Sequence, residues 1–129
     1  MTDKESLIAY RIKQAQETFD DAEKILLAGG SMRSVVNRSY YAAFYAVLAL
    51  FLKADMDVKT SKHSGIISLF DKEFVHTGKI SRQCSKTLHR LFDERQQIDY
   101  KEFAEVLPED AQNLLQQAKE FLNVIQQML

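Results

Sequence analysis

Arg95 and Asp99 stand four residues apart, with Tyr100 next to them, at the end of a segment where Ile80, Cys84, Leu88, Leu91, Phe92 and Ile98 recur at helical spacing. Arg95 continues that apolar stripe, so a guanidinium points into a buried face. A planar guanidinium matches phosphate and carboxylate oxygens in a fork of hydrogen bonds, and a carboxylate and a phenol lie within reach of the same helix turn. Local helix stability is a poor reason for the pair. With arginine N-terminal to the acid, an exposed pair at this spacing contributes only a few tenths of a kcal/mol. Arg95, Asp99 and Tyr100 are therefore the first candidates for a catalytic or phosphate-binding site.

A second constellation lies in Asn37-Arg38-Ser39-Tyr40-Tyr41-Ala42-Ala43-Phe44-Tyr45. From Val35 to Leu52 the chain has no proline, glycine or acid and is apolar almost all round, the pattern of a buried helix. Arg38 is its only charge. Inside a packed layer that charge costs several kcal/mol unless paired, and the expected acceptors lie near Asp99 and Tyr100. Tyr41 and Tyr45, three and seven positions on, share the face of Arg38. The group either sets the packing of two helices or holds a ligand.

His63, in Lys62-His63-Ser64-Gly65, falls near a helix start, where an imidazole and backbone donors can hold an anion. Capping or packing is the competing role. His76 sits where a histidine complements a helix C-terminus, and Arg82 and His89 share a face that reads as surface. Three scattered histidines and one cysteine make no metal-ligand spacing, and no glycine-rich phosphate loop is present, so neither a metal nor a cofactor is expected.

The elements that must position these residues are helices. Thr2-Asp3-Lys4-Glu5 reads as a capping box, followed by Ile8, Ile12, Ala15, Phe19, Ala22 and Leu26 on one face. Gly29-Gly30 stops that helix and Ser31 caps the next, which runs to about Ala54. Thr60 or Ser61 starts a short third helix through His63, Ile66, Ile67, Phe70 and Phe74, ending near Thr77-Gly78. The Arg95 helix is fourth. Pro108 opens a fifth, with Ala111, Leu114, Leu115, Ala118, Phe121, Leu122 and Ile125 as its buried face. The fold class is all-α, a five-helix up-and-down type bundle formed by residues 1–129 as one domain.

With 129 residues, 46% hydrophobic and 27% charged, the chain can bury a core without staples. Cys84 as the single cysteine excludes an internal disulfide. The acidic N-terminal residues lack the layout of a signal peptide, and Asn37, Arg38 and Ser39 interrupt the one run approaching membrane-spanning length. A cytoplasmic protein without membrane contact is expected. Positive charge gathers in the middle of the chain and negative charge in the last helix. Such a pattern fits complementary packing between helices or a basic face for phosphates.

Asn37 to Tyr45, Lys62-His63-Ser64-Gly65, Phe74-Val75-His76-Thr77-Gly78, Leu91-Phe92-Asp93-Glu94-Arg95 and Asp99-Tyr100 together resemble the HEPN domain family, in order and spacing. The resemblance implies a helical bundle that homodimerises and serves as a toxin-like or regulatory protein, often paired with a minimal nucleotidyltransferase as antitoxin. It also implies RNA or a nucleotide as ligand. Active members cleave RNA with an arginine followed about four to six residues later by a histidine, and in some toxins by a tyrosine two residues beyond. Arg95 fits the arginine, but Gln96-Gln97-Ile98-Asp99-Tyr100 holds no histidine. A positioned acid or base typically contributes ~10²–10⁴-fold, so metal-independent ribonuclease activity is expected to be weak or absent. The alternative is a non-catalytic dimerisation or interaction module whose arginine, tyrosine and aspartate groups are structural. A helical adaptor without a nucleic-acid role is a third reading.

Overall fold

A computed structural model of the chain describes residues 2–58, 62–101 and 104–129. Among them lie five α-helices and no strand: α1 (Asp3–Leu27), α2 (Met32–Lys53), α3 (His63–Phe70), α4 (Arg82–Tyr100) and α5 (Pro108–Gln127). The all-α bundle expected from the periodicity is the observed architecture.

The boundaries follow local chemistry. Thr2 Oγ1 accepts from the Glu5 N–H at 3.0 Å and Ser31 Oγ from the Ser34 N–H at 3.3 Å, each satisfying a donor that a helix start leaves over. At the end of α1 the Gly30 N–H bonds to Ile25 O and the Gly29 N–H to Leu26 O, a Schellman closure that requires the left-handed backbone of Gly29, φ 72°. Pro108 begins α5, with Glu109 and Asp110 in its first turn. The N-cap of α3 is Lys62, with no side-chain capping bond; Thr60 and Ser61, the expected starters, lie outside the described residues. Ile80 precedes α4, which opens at Ser81 as its cap.

One feature departs from simple periodicity. The helix begun by α3 widens into a π turn over Asp71–Val75, where the His76 N–H reaches back five residues to Asp71 O at 2.8 Å. The turn aims Phe74 into the core, in ring contact with Phe51 and Phe70, and turns Asp71 toward Ser85 and His89 of α4.

α2 is the centre of the molecule, packed by α1, α5 and α4. Twelve of its residues are buried, among them Val35, Tyr40, Val47, Leu50 and Phe51. Each such large apolar side chain contributes about 1.5–3 kcal/mol relative to exposure. α2 is long and apolar enough to cross a membrane by length and composition, and 67% of that window is buried by its neighbours. Arg38, Tyr41, Tyr45, Leu48 and Leu52 are only half-buried. They follow one another at spacings of three and four, a single open seam along the central helix.

Among the described residues no ion pair joins the basic side chains of α4 to the acids of α5. Arg82, Lys86 and Arg90 stand exposed at four-residue spacing.

Candidate functional site

Three helices bring one cluster together. α2 supplies Tyr40, Tyr41 and Phe44 on adjoining turns, α3 supplies His63 at its first residue, and α4 supplies Arg95. Leu91 and Ile98, one turn to either side of Arg95, are buried and carry its side chain inward. Ile66, Ile67 and Phe70, three, four and seven residues after His63, anchor α3 in the core and set the imidazole on the same inner face.

Arg95 is 8% exposed. Its Nη1 donates to the Tyr41 hydroxyl at 2.9 Å and stands 3.4 Å from His63 Nδ1. The guanidinium lies 5.1 Å from the Tyr40 ring centroid and 5.6 Å from that of Tyr41, so the faces of two phenols carry part of its charge. Asp99 Oδ2 is 3.4 Å from Arg95 Nε, within ion-pair range, yet Nε has no hydrogen-bond partner among the described residues. The Asp99 side chain is 38% exposed. Its charge is shared with solvent and offsets the buried cation incompletely. Arginine carries five N–H donors, and Nη2 bonds to no described residue. The cluster therefore holds more donors than acceptors around one positive charge, an arrangement that suits an anion.

His63 bonds to the Tyr40 hydroxyl through Nδ1 at 2.7 Å and stacks on Phe44, ring centroids 4.2 Å apart. Burial, followed by the charge of Arg95, holds the imidazole pKa below its ordinary value. Burial raises the phenol pKa of Tyr40 well above the usual range; the charge of Arg95 opposes that rise without cancelling it. Both groups are neutral near pH 7.

An open cleft of about 490 Å³ lies beside this cluster, with Arg33, Ser34, Asn37 and Arg38 of α2 on one wall and Ile98 and Asp99 of α4 on the other. Asp99 faces the cleft and pairs with Arg95. Arg33 donates to the Ile98 carbonyl at 2.5 Å, tying the far end of α4 to α2.

The structure separates the expected residues. Arg38 is half-buried and does not pair with Asp99 or Tyr100. Its Nε and Nη2 donate to the neighbouring Asn37 Oδ1 at 3.0 and 2.8 Å, and its guanidinium lies over the Tyr41 ring at 5.4 Å. Arg38 belongs to the open, half-buried seam of α2, and the buried guanidinium is that of Arg95. Tyr100 is 77% exposed and makes no hydrogen bond to a described residue. Arg82 and His89 are exposed, and His89 Nε2 meets Asp71 Oδ2 at 2.6 Å. The meeting of His63 with Arg95 was not read from the sequence. The shared spacing of His63 with Ile66, Ile67 and Phe70 signals the inner face of α3 and not the partner it meets there.

Against known proteins, the family model described as HEPN domain matches residues 8–128. The chain belongs to the HEPN domain family. A Thermotoga maritima protein named "UPF0332 protein" is 40% identical over 129 residues, spanning 100% of this chain and 96% of that one. A Methanocaldococcus jannaschii protein named "Putative toxin MJ0142" is 32% identical over 117 residues, 86% of this chain and 78% of its own. A further "UPF0332 protein", from Archaeoglobus fulgidus, is 35% identical over 115 residues and 89% of each chain. This HEPN protein is thus related to a protein named as a toxin, and the cluster built on Arg95 lies inside the matched region.

Proposed function

We propose that this HEPN protein is a toxin-like RNA-binding protein that grips the phosphodiester backbone at the Arg95 cluster. The observation that carries the reading is the buried Arg95 guanidinium, whose donors outnumber its acceptors among the described residues and whose carboxylate partner there, Asp99, is half in solvent. Fixed donors around a partly desolvated cation favour a phosphate oxygen without reorganisation. Asp99 and Tyr100 border the bound backbone, and Arg33 and Arg38 extend the positive surface along the cleft. Cleavage is weak or absent, because no histidine follows Arg95 to move protons.

The working unit is a cytoplasmic homodimer, with a minimal nucleotidyltransferase as its antitoxin partner. The seam Arg38, Tyr41, Tyr45, Leu48 and Leu52 supports self-association, since two-fold closure covers the same face on both copies. Tyr41 belongs to both seam and cluster, so a second copy on this face stands beside the site. Sedimentation of the purified chain at micromolar concentration tests the dimer, and a single monomeric species refutes it.

A metal-free cleavage assay on total tRNA and on a mixed RNA pool tests the site, using the parent, Arg95→Ala and Tyr100→Phe. Salt-sensitive RNA binding that weakens in Arg95→Ala, with little cleavage, is the expected result. Cleavage or binding indifferent to Arg95→Ala overturns the assignment. The rival reading, a non-catalytic interaction module, draws on the way Tyr40, Tyr41, His63 and Arg95 tie α2, α3 and α4 together. It predicts that Arg95→Ala unfolds the chain and that the parent binds no RNA.

A further inference from the structure

No histidine follows Arg95 in sequence, yet an imidazole reaches it through space. His63 Nδ1 faces two donors, the Tyr40 hydroxyl at 2.7 Å and Arg95 Nη1 at 3.4 Å. A guanidinium has no lone pair to accept a hydrogen bond, so a proton on Nδ1 would point at a cation. The Tyr40 phenol keeps its proton and can give it to Nδ1. Nδ1 is then the lone-pair nitrogen, and a neutral imidazole carries its single N–H on Nε2. Nε2 bonds to no described residue, and the ring is partly exposed.

We propose that His63 supplies the imidazole of the Arg95 site from α3, and does so as a neutral Nε2–H donor to a phosphate oxygen rather than as the base that removes a ribose proton. The inference rests on the phosphodiester-binding reading above. Its geometry is a relay of fixed direction: Tyr40 O–H orients Nδ1, the Phe44 ring fixes the plane, and Nε2–H is left for a ligand that Arg95 draws in. The groups facing the imidazole are Tyr40 and Tyr41 from α2 and Arg95 from α4, with Lys62 before it and Asp99 on the far side of Arg95. Burial opposes a positive charge on the ring, and Arg95, nearest of the charges, opposes it further. A donor of this kind does not titrate in the range where a catalytic histidine would. RNA binding by the site is accordingly flat between about pH 7 and pH 8.

The test combines imidazole nitrogen NMR on the full chain, free and with a short oligouridylate, and anisotropy of that RNA with the parent, His63→Gln, His63→Ala and Arg95→Ala. The expected result is an Nε2–H tautomer that stays neutral across that pH range. His63→Gln, whose amide offers an N–H near the Nε2 position, keeps affinity within about threefold, and His63→Ala weakens it about tenfold or more. An Nδ1–H tautomer, titration within the range, or cleavage by the parent that His63→Gln abolishes overturns the proposal. Loss of affinity in Arg95→Ala but not in His63→Ala sinks this inference alone. Unchanged affinity in Arg95→Ala sinks the phosphodiester reading beneath it. Should His63→Ala fail to fold, the tautomer and His63→Gln still decide.

Discussion

Replacing Arg95 by methionine separates a residue kept for a ligand from one kept for the fold. The side chain is similar in reach, and it removes one charge-assisted hydrogen bond to Tyr41, worth about 1.5–3 kcal/mol, and two cation–π contacts of about 2 kcal/mol each at a desolvated site. The pair with half-exposed Asp99 adds about 0–1 kcal/mol. Against these losses stands the penalty of a guanidinium held 8% exposed, several kcal/mol, with an Nε–H that finds no hydrogen-bond partner among the described residues, about 1–3 kcal/mol more. The two sides nearly cancel. Arg95→Met is expected to unfold in urea within about 1 kcal/mol of the parent, because the partners it leaves behind, Asp99 and Tyr41, reach solvent and are not stranded as buried unpaired groups. The assay is equilibrium unfolding followed by far-UV circular dichroism, with the slope compared between the two proteins. A loss of about 3–5 kcal/mol would refute the reasoning, since that is the size expected for breaking a buried structural network.

Arg38→Ala should cost less than about 1 kcal/mol in the same assay, because among the described residues its guanidinium bonds only to the adjacent Asn37 and rests on Tyr41 at a half-buried position. Gly29→Ala should lose about 1 kcal/mol although nothing stands within 4 Å of the added carbon, since the strain lies in the positive φ itself. The lowered pKa of His63 makes the unfolded chain bind more protons than the folded one just below about pH 6.5, so the His63 contribution is complete above that value and lost as pH falls through the folded pKa. Unfolding of the parent and His63→Gln across acid pH checks it: the parent should lose stability faster.

Much of the fold could be read from the chain because its punctuation is local. Gly29-Gly30, Ser31 and Pro108 stop and start helices by backbone geometry alone, and the stripes of α1, α4 and α5 record which face is buried. The π turn at Asp71–Val75 leaves no such trace, since an apolar spacing of three and four is compatible with either helix type. α2 is harder for another reason. A helix apolar almost all round gives no phase, so the sequence could not say that Arg38 faces outward while Tyr40 is sealed inside. Arg95, on a helix with one clear stripe, was placed correctly as buried. Its histidine was sought further along the same helix. The contact with His63 spans 32 residues and depends on how α3 docks against α2 and α4, a tertiary fact that no spacing encodes.

The most direct test of the account is anisotropy of a labelled single-stranded RNA with the parent and Arg95→Met at rising salt. The account predicts saturable binding that weakens as salt increases and falls at least about tenfold in Arg95→Met, while the variant stays folded. Absence of binding by the folded parent, or equal binding by both proteins, would contradict it.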